Sequence, residues 1–363
     1  NYLSNGFQIA DSGGGVNANG GTFLYIAFGS DPSAAPTLPD SFANKIYSGN
    51  GGTQSITGLG FSPSWVWAKR RSATEDNAWF DIVRGTEKQI TSNKTNAQNN
   101  TTNAISSFDS DGWTTGANNA LNTSGQTYVA WNWKINPLPT INTDGAIQSI
   151  VSANQAAGIS IVKWDGTGAI NTVGHGLSAA PELILIKSLD ITADWQVYSS
   201  VIGNGDKLGL NTSAAASSTT RWDSTSPTSS VFTLRDIGLG TGQIAYCFIS
   251  ISGFSKIGSY TGNGSAGYAI TGLGFQPSFI MIKGTTSADN WFIFDSARGG
   301  SVTLNPNLDA AEYADTGVTS FDSDGFTLGS NAGGNRNGDT YIYMAFKENP
   351  APRPLAGNMS FLV

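Results

Sequence analysis

The 363-residue chain carries a formal charge of −7, with 19 Lys and Arg against 26 Asp and Glu, which excludes the basic face that nonspecific binding to nucleic acid or anionic membranes requires. Its 45 glycines, 11% aromatic residues and 12% charged residues describe a loop-rich β protein with too much aromatic surface to remain disordered. The single cysteine, Cys247, excludes an intrachain disulfide framework and a cysteine-rich zinc site, and no apolar run reaches the ~18 residues of a membrane-spanning helix. Stability must come from packed cores or from assembly.

The chain is a repeat. SFDSDGW at residues 107–113 returns as SFDSDGF at 320–326, and in both copies 15 residues separate the final aromatic from the tyrosine of the next strand, Tyr128 or Tyr341. A match of that length at matched spacing marks tandem units. Residues 1–28 align with the end of the last unit, so residues 1–32 are expected to be the C-terminal half of a preceding repeat. Its other half is expected upstream or in a neighbouring subunit, because unpartnered strands expose an apolar face. Residues 33–44 carry two prolines, Pro36 and Pro39, directly after Pro32, with small polar residues and no periodicity, and are expected to be a linker.

Three full repeats follow, expected at 45–134, 161–250 and 256–348, with a spacer at 135–160 that has room for a strand of its own. Each opens on a strand and a glycine-rich turn. Each then presents a proline and an apolar run ending in lysine, Pro63 to Lys69, Pro181 to Lys187 and Pro277 to Lys283. Apolar residues on both faces predict a central strand, and the following NAWFDIV, DWQVYSS and NWFIFDS predict hairpin partners. In the closing strand, alternation places Val129, Trp131 and Trp133 on one face, matched by Ile244, Tyr246 and Phe248, by Ile342, Met344 and Phe346, and by Leu24, Ile26 and Phe28. The opposite face, Tyr128, Ala130 and Asn132 with its counterparts, is mixed and suits a partly covered surface, and Cys247 there reads as a small filler. Only ISGFS, residues 251–255, joins repeats two and three, so that junction is expected to be stiff and the earlier ones freer. The tail, 349–363, is expected to dock on a surface or fray. About 90 residues per unit, many short strands and no convincing amphipathic helix give an all-β chain of tandem antiparallel β-sandwiches.

Four sets of residues could carry chemistry. Asp109 and Asp111, and Asp322 and Asp324, alternate before a glycine as calcium ligands do, but the later ligands of a calcium loop are missing and a tight turn is the plainer reading. Phe80-Asp81-Ile-Val-Arg84-Gly85 and Phe294-Asp295-Ser-Ala-Arg298-Gly299 place a guanidinium fork, Arg84 or Arg298, where it could hold a sugar hydroxyl pair or an acidic ligand. The favoured reading is an internal Asp–Arg pair, since repeat two has Tyr198-Ser-Ser-Val-Ile-Gly203 there. Trp67, Trp113 and Trp291, with Trp79 and Trp195, could stack on a pyranose, although tryptophans at strand positions are more often core. His175, the one histidine, replaces a leucine in a structural turn and leaves no partner for a histidine-assisted triad.

Taken together, YTGNG at 260–264, GLGFQPSFIMIK at 272–283, the FDxxRG and SFDSDGF segments, SPTSSVFTL at 226–234 and GDTYIYMAFKENP at 338–350 resemble a repeat family of tailed-phage structural proteins of the marine type, tail-fibre-like. The resemblance spans residues 1–350 and implies laminin-G or concanavalin-like (jelly-roll) domains, a superfamily that often binds glycans but also serves as spacer. It supplies no catalytic residues, and repeat two departs from it at both FDxxRG and SFDSDGF. The expectation is a non-enzymatic protein of the virion surface, a tail fibre or receptor-binding appendage adhering to host surface glycans. Self-association is expected, with a trimer the usual fibre form, together with contacts to other virion proteins and no membrane insertion. The alternatives are capsid decoration, head fibre or spacer without a ligand of its own, and a glycan depolymerase.

Overall fold

The computed structural model describes residues 2–3, 6–7, 40–330 and 332–348. Two compact units divide the chain after Thr37. In the first, Tyr2–Leu3 pairs antiparallel with Gly6–Phe7. The rest of the leading half-repeat, including Leu24, Ile26 and Phe28, and the tail 349–363 lie outside the described residues.

The second unit is all-β, and every ladder between its named strands is antiparallel. Repeat one builds a six-stranded sheet in the order Phe42–Ser48, Thr127–Trp133, Trp65–Arg70, Ala78–Asp81, Gly85–Thr91, Asn99–Asn100. Repeat three copies it with Ser255–Thr261, Thr340–Phe346, Phe279–Gly284, Trp291–Asp295, Gly299–Leu304 and Tyr313–Ala314. The lysine-ending run is a central strand and forms the expected hairpin with its successor, Trp65 facing Asp81 and Phe279 facing Asp295. A smaller sheet covers one face: Gln54–Thr57, Gly112–Thr115 and Ile105–Asp109 in repeat one, Tyr268–Thr271, Gly325–Leu328 and Val318–Asp322 in repeat three. The only helices among the described residues are single turns, Asn119–Asn122 and Ala332–Asn335.

Repeat two differs at its edges. Thr140–Asn142 and Ser149–Asn154, both inside the stretch read as a spacer, extend its large sheet beyond Ile159–Asp165, Gly242–Phe248, Leu183–Ser188 and Gln196–Ser199. Its covering sheet is the single pair Ile170–Gly174 and Val231–Arg235. The first strand of repeat one likewise begins at Phe42, inside the expected linker, because the apolar Phe42 and Ala43 are buried.

Both faces of the closing strand are core. Tyr128, Ala130 and Asn132 are completely buried, not partly covered as expected. Ala130 packs with Val66, Phe80, Ile56 and Trp113 between the two sheets of its own repeat. The large apolar face looks the other way, into a single core shared by all three repeats. Trp65, Trp67, Trp79, Trp131 and Trp133 of repeat one meet Leu183, Leu185, Val197, Tyr246 and Phe248 of repeat two, and Phe279, Met281, Ile293, Met344 and Phe346 of repeat three. These are the same five sheet positions in each copy, as the ladders show: Trp133 faces Trp65, Phe248 faces Leu183 and Phe346 faces Phe279. The freedom expected at the junction of repeats one and two is therefore absent, because burying three apolar faces against one another stabilises the junctions among the three repeats alike; the junction before repeat one lies outside the described residues.

Candidate functional site

The three repeats close into a head-to-tail ring through one contact used three times. A loop in each repeat reaches the hairpin of the next. Thr95 of repeat one accepts from the backbone N–H of Ala193 at 2.9 Å and from Lys187 Nζ at 3.0 Å, and Gln98 N–H donates to Leu189 O at 2.9 Å. Ser213 of repeat two accepts from Asp289 N–H at 2.8 Å and Lys283 Nζ at 3.1 Å, and Ala216 N–H donates to Thr285 O at 2.9 Å. Asp309 O of repeat three accepts from Glu75 N–H at 2.9 Å and Lys69 Nζ at 3.0 Å, and Glu312 N–H donates to Arg71 O at 2.9 Å. A fourth bond joins Trp195 Nε1 to Thr91 O, Trp291 Nε1 to Gly209 O, and Asn77 Nδ2 to Asn305 O. A heterologous contact that returns to its start gives a closed ring. Here the pseudo-threefold lies inside one chain.

The lysines that end the central strands are the pins of this ring. Each also donates to the carbonyl six residues on, Glu75, Ala193 or Asp289. Burial, which disfavours the charged ammonium, lowers each to about 8 from an ordinary 10.5. Each clamp loop is shaped by an asparagine that sequence reading passed over. Asn93 Oδ1 accepts from Asn77 N–H while its Nδ2 donates to Asp76; Asn211 bridges Trp195 and Asp194 in the same way, and Asn307 bridges Trp291 and Asn290. All three stand 24 residues after their lysine, a spacing that would have revealed them.

The Asp–Arg pairs also belong to the junctions. Asp81 holds Arg84 Nε at 2.5 Å and accepts the phenol of Tyr246, in repeat two, at 2.6 Å. Asp295 holds Arg298 Nε at 2.6 Å and accepts the indole N–H of Trp131, in repeat one, at 2.9 Å. Both arginine side chains are buried to about 1% or less, so neither fork is open to a ligand. Repeat two lacks the pair, and the repeat it faces lacks the donor. The position of Tyr246 and Trp131 is Met344 in repeat three, which offers no donor, and repeat two places Ser199 and the core-packed Ile202 where the others have aspartate and arginine.

The aspartate turns are internal caps. Asp111 accepts from the N–H groups of Gly58 and Gly60 at 3.0 and 2.6 Å, and Asp324 from Gly272 and Gly274 at 3.0 and 2.7 Å. Those bonds hold the Asp324 carboxyl below the usual range. Asp109 accepts from the Ser107 and Thr114 hydroxyls, and Asp322 from those of Ser320 and Thr327. The glycine of each turn is required, since a Cβ on Gly112 or Gly325, at φ +153 or +156, would lie 1.9 Å from a backbone carbonyl oxygen. The calcium reading loses its ligands to these bonds; among the described residues no group of three or more His, Cys, Asp or Glu could hold a metal ion. In repeat two Ser230 replaces the cap, and His175 Nδ1 accepts from Leu177 N–H instead, with Nε2 at 3.1 Å from Thr228 O. Trp67, Trp113 and Trp291 are buried to within 1%, which corrects the sugar-stacking reading, since stacking needs an exposed ring. Trp113 donates to Asn132, Trp67 to Asn77 and Trp291 across the junction.

Open concavities lie on the clamp loops. One of about 160 Å³ in repeat one is lined by Asp76, Gln89, Ile90, Lys94, Asn96 and Asn99. One of about 170 Å³ at the corresponding place in repeat two is lined by Asp194, Lys207, Leu208, Thr212, Ala215 and Ser217. No helix among the described residues is long and apolar enough to cross a membrane. The model of a family described as Domain of unknown function (DUF7483) matches residues 38–350, a span that covers the whole ring and not one repeat. No curated protein and no solved structure matches the chain.

Proposed function

We propose that this chain, which belongs to the DUF7483 family, is a non-enzymatic structural protein of the virion surface, a tail-fibre-like appendage that adheres to host surface glycans. The observation that carries the reading is where the recurring polar residues go. Asp81, Arg84, Asp295 and Arg298 lock the ring, Asp111 and Asp324 cap its turns, and the polar concavities lie at matching places on the clamp loops of repeats one and two. A rigid ring with repeated small polar sites suits multivalent, low-affinity contact with a repeating surface. The resemblance to tailed-phage repeat proteins supports the same reading. A depolymerase would need two carboxylates flanking one groove, and each concavity is lined by one, Asp76 or Asp194. Self-association, with a trimer of chains as the fibre form, is part of the proposal and is checked by light scattering.

The test is a glycan array and host-cell adsorption assay with the full soluble chain. Binding is expected; absence of binding in every oligomeric form would remove the adhesive role. A second reading, a spacer or capsid decoration protein, is favoured by the closure of the ring, since a unit without free junctions makes a stiff rod element. Labelled antibody on virions separates the two: tail-tip decoration supports adhesion, shaft or capsid decoration supports the spacer.

A further inference from the structure

We infer that the two clamp-loop concavities are a matched pair of binding sites for single neutral pyranose units, an assignment that rests on the adhesive reading above and gives it residues. Size comes first. At about 160 and 170 Å³ each holds roughly five waters' share of liquid volume, and falls below the ~300 Å³ at which drug-sized ligands begin. A small polar ring fits and a peptide or an extended aromatic does not.

Charge narrows the class. Each site holds one carboxylate and one ammonium and so no net charge: Asp76 and Lys94 in repeat one, an ion pair at 2.5 Å, and Asp194 and Lys207 in repeat two, where the ammonium donates to Gln196 Oε1 at 2.9 Å, although the lysine comes from a different position in each. An anion would face the aspartate and a cation the lysine. A hydroxyl both donates and accepts, so vicinal hydroxyls can satisfy both groups at once. The aspartates are fixed in place: Asn93 donates to Asp76 Oδ1 at 2.8 Å and Asn211 to Asp194 Oδ1 at 2.7 Å. Ile90 and Leu208 supply an aliphatic wall for the C–H face of a ring.

Repeat three provides the internal comparison. At the positions of Asp76 and Asp194 it has Asn290, and at those of Asn99 and Ser217 it has Tyr313. The acid is gone and a bulky ring stands at the rim. The fold therefore tolerates tyrosine at this position, so the substitutions N99Y and S217Y close the two sites with a side chain the architecture already accepts.

The experiment titrates methyl glycosides of glucose, galactose and mannose, and dextran, into the full chain by calorimetry and saturation-transfer NMR. Two equivalents of one methyl glycoside per chain are expected, one in N99Y or S217Y alone, and binding at least ~10-fold weaker in N99Y/S217Y. D76N/D194N, which imitates Asn290, is expected to weaken binding in the same direction. The melting temperature of each variant reports folding independently. Undiminished sugar binding by a folded N99Y/S217Y chain would overturn the site assignment and leave adhesion standing. Binding confined to charged sugars would overturn the neutral class. Failure of the unmodified chain on the whole glycan array would remove both.

Discussion

At the residue scale, the ring is built from pairs whose members change together. Trp113 has an indole N–H and finds Asn132 at 3.0 Å; in repeats two and three the ring is Phe232 or Phe326 and the facing residue Cys247 or Ala345, which need no acceptor. Cys247 is a buried filler, as its small size in an aromatic strand suggested, and burial pushes its thiol far up. The Asp–Arg pairs obey the same rule across repeats, present where the neighbour donates and absent where it is Met344. Removing one partner leaves a buried charge uncompensated, so Asp81→Ala, which strands Arg84 and the Tyr246 phenol, is expected to cost about 3–5 kcal/mol in urea denaturation. Ser199→Ala at the matching place in repeat two is expected to cost less than about 1 kcal/mol. Equal losses at the two positions would contradict the pairing.

At the scale of the element, the hairpin of each central strand is completed by a loop from the preceding repeat. The lysine pins make this contact depend on pH. Lys69, Lys187 and Lys283 lose their protons near 8 in the fold and near 10.5 when unfolded. Between those values the unfolded chain binds more protons, so stability rises with pH. Above about 10 the trend reverses, because the buried phenols of Tyr47, Tyr246 and Tyr260 are held well above 10.0 and stay protonated while the unfolded phenols ionise. The urea midpoint is expected to climb from pH 7.5 to 9.5, and to climb less in Lys187→Met. A flat profile in the unmodified chain would mean the lysines remain charged in their carbonyl cages.

On the scale of the whole molecule, the shared core makes the three repeats one folding unit. No repeat can open without exposing the inward faces of both neighbours, whose side chains Trp131, Tyr246 and Met344 lie in a single cluster. Residues 38–348 are therefore expected to unfold in one transition, with tryptophan fluorescence and far-ultraviolet circular dichroism coinciding. Resolved steps, one per repeat, would show that the junctions are weaker than the repeats.

The amino-acid order alone specifies the repeat period, the strand hairpins and the alternation that separates Val129, Trp131 and Trp133 from Tyr128, Ala130 and Asn132, because these follow from local periodicity and turn chemistry. It also marks Asp111 and Gly112 as a turn. It does not reveal that both faces of that strand are core. A large apolar face reads the same whether it packs on its own sheet or on two neighbours, and nothing local distinguishes a chain of separate domains from a closed ring. The ring and the place of the Asp–Arg pairs in it were decided only by contacts between repeats, 70 positions apart for Lys283 with Ser213 and 165 for Asp81 with Tyr246.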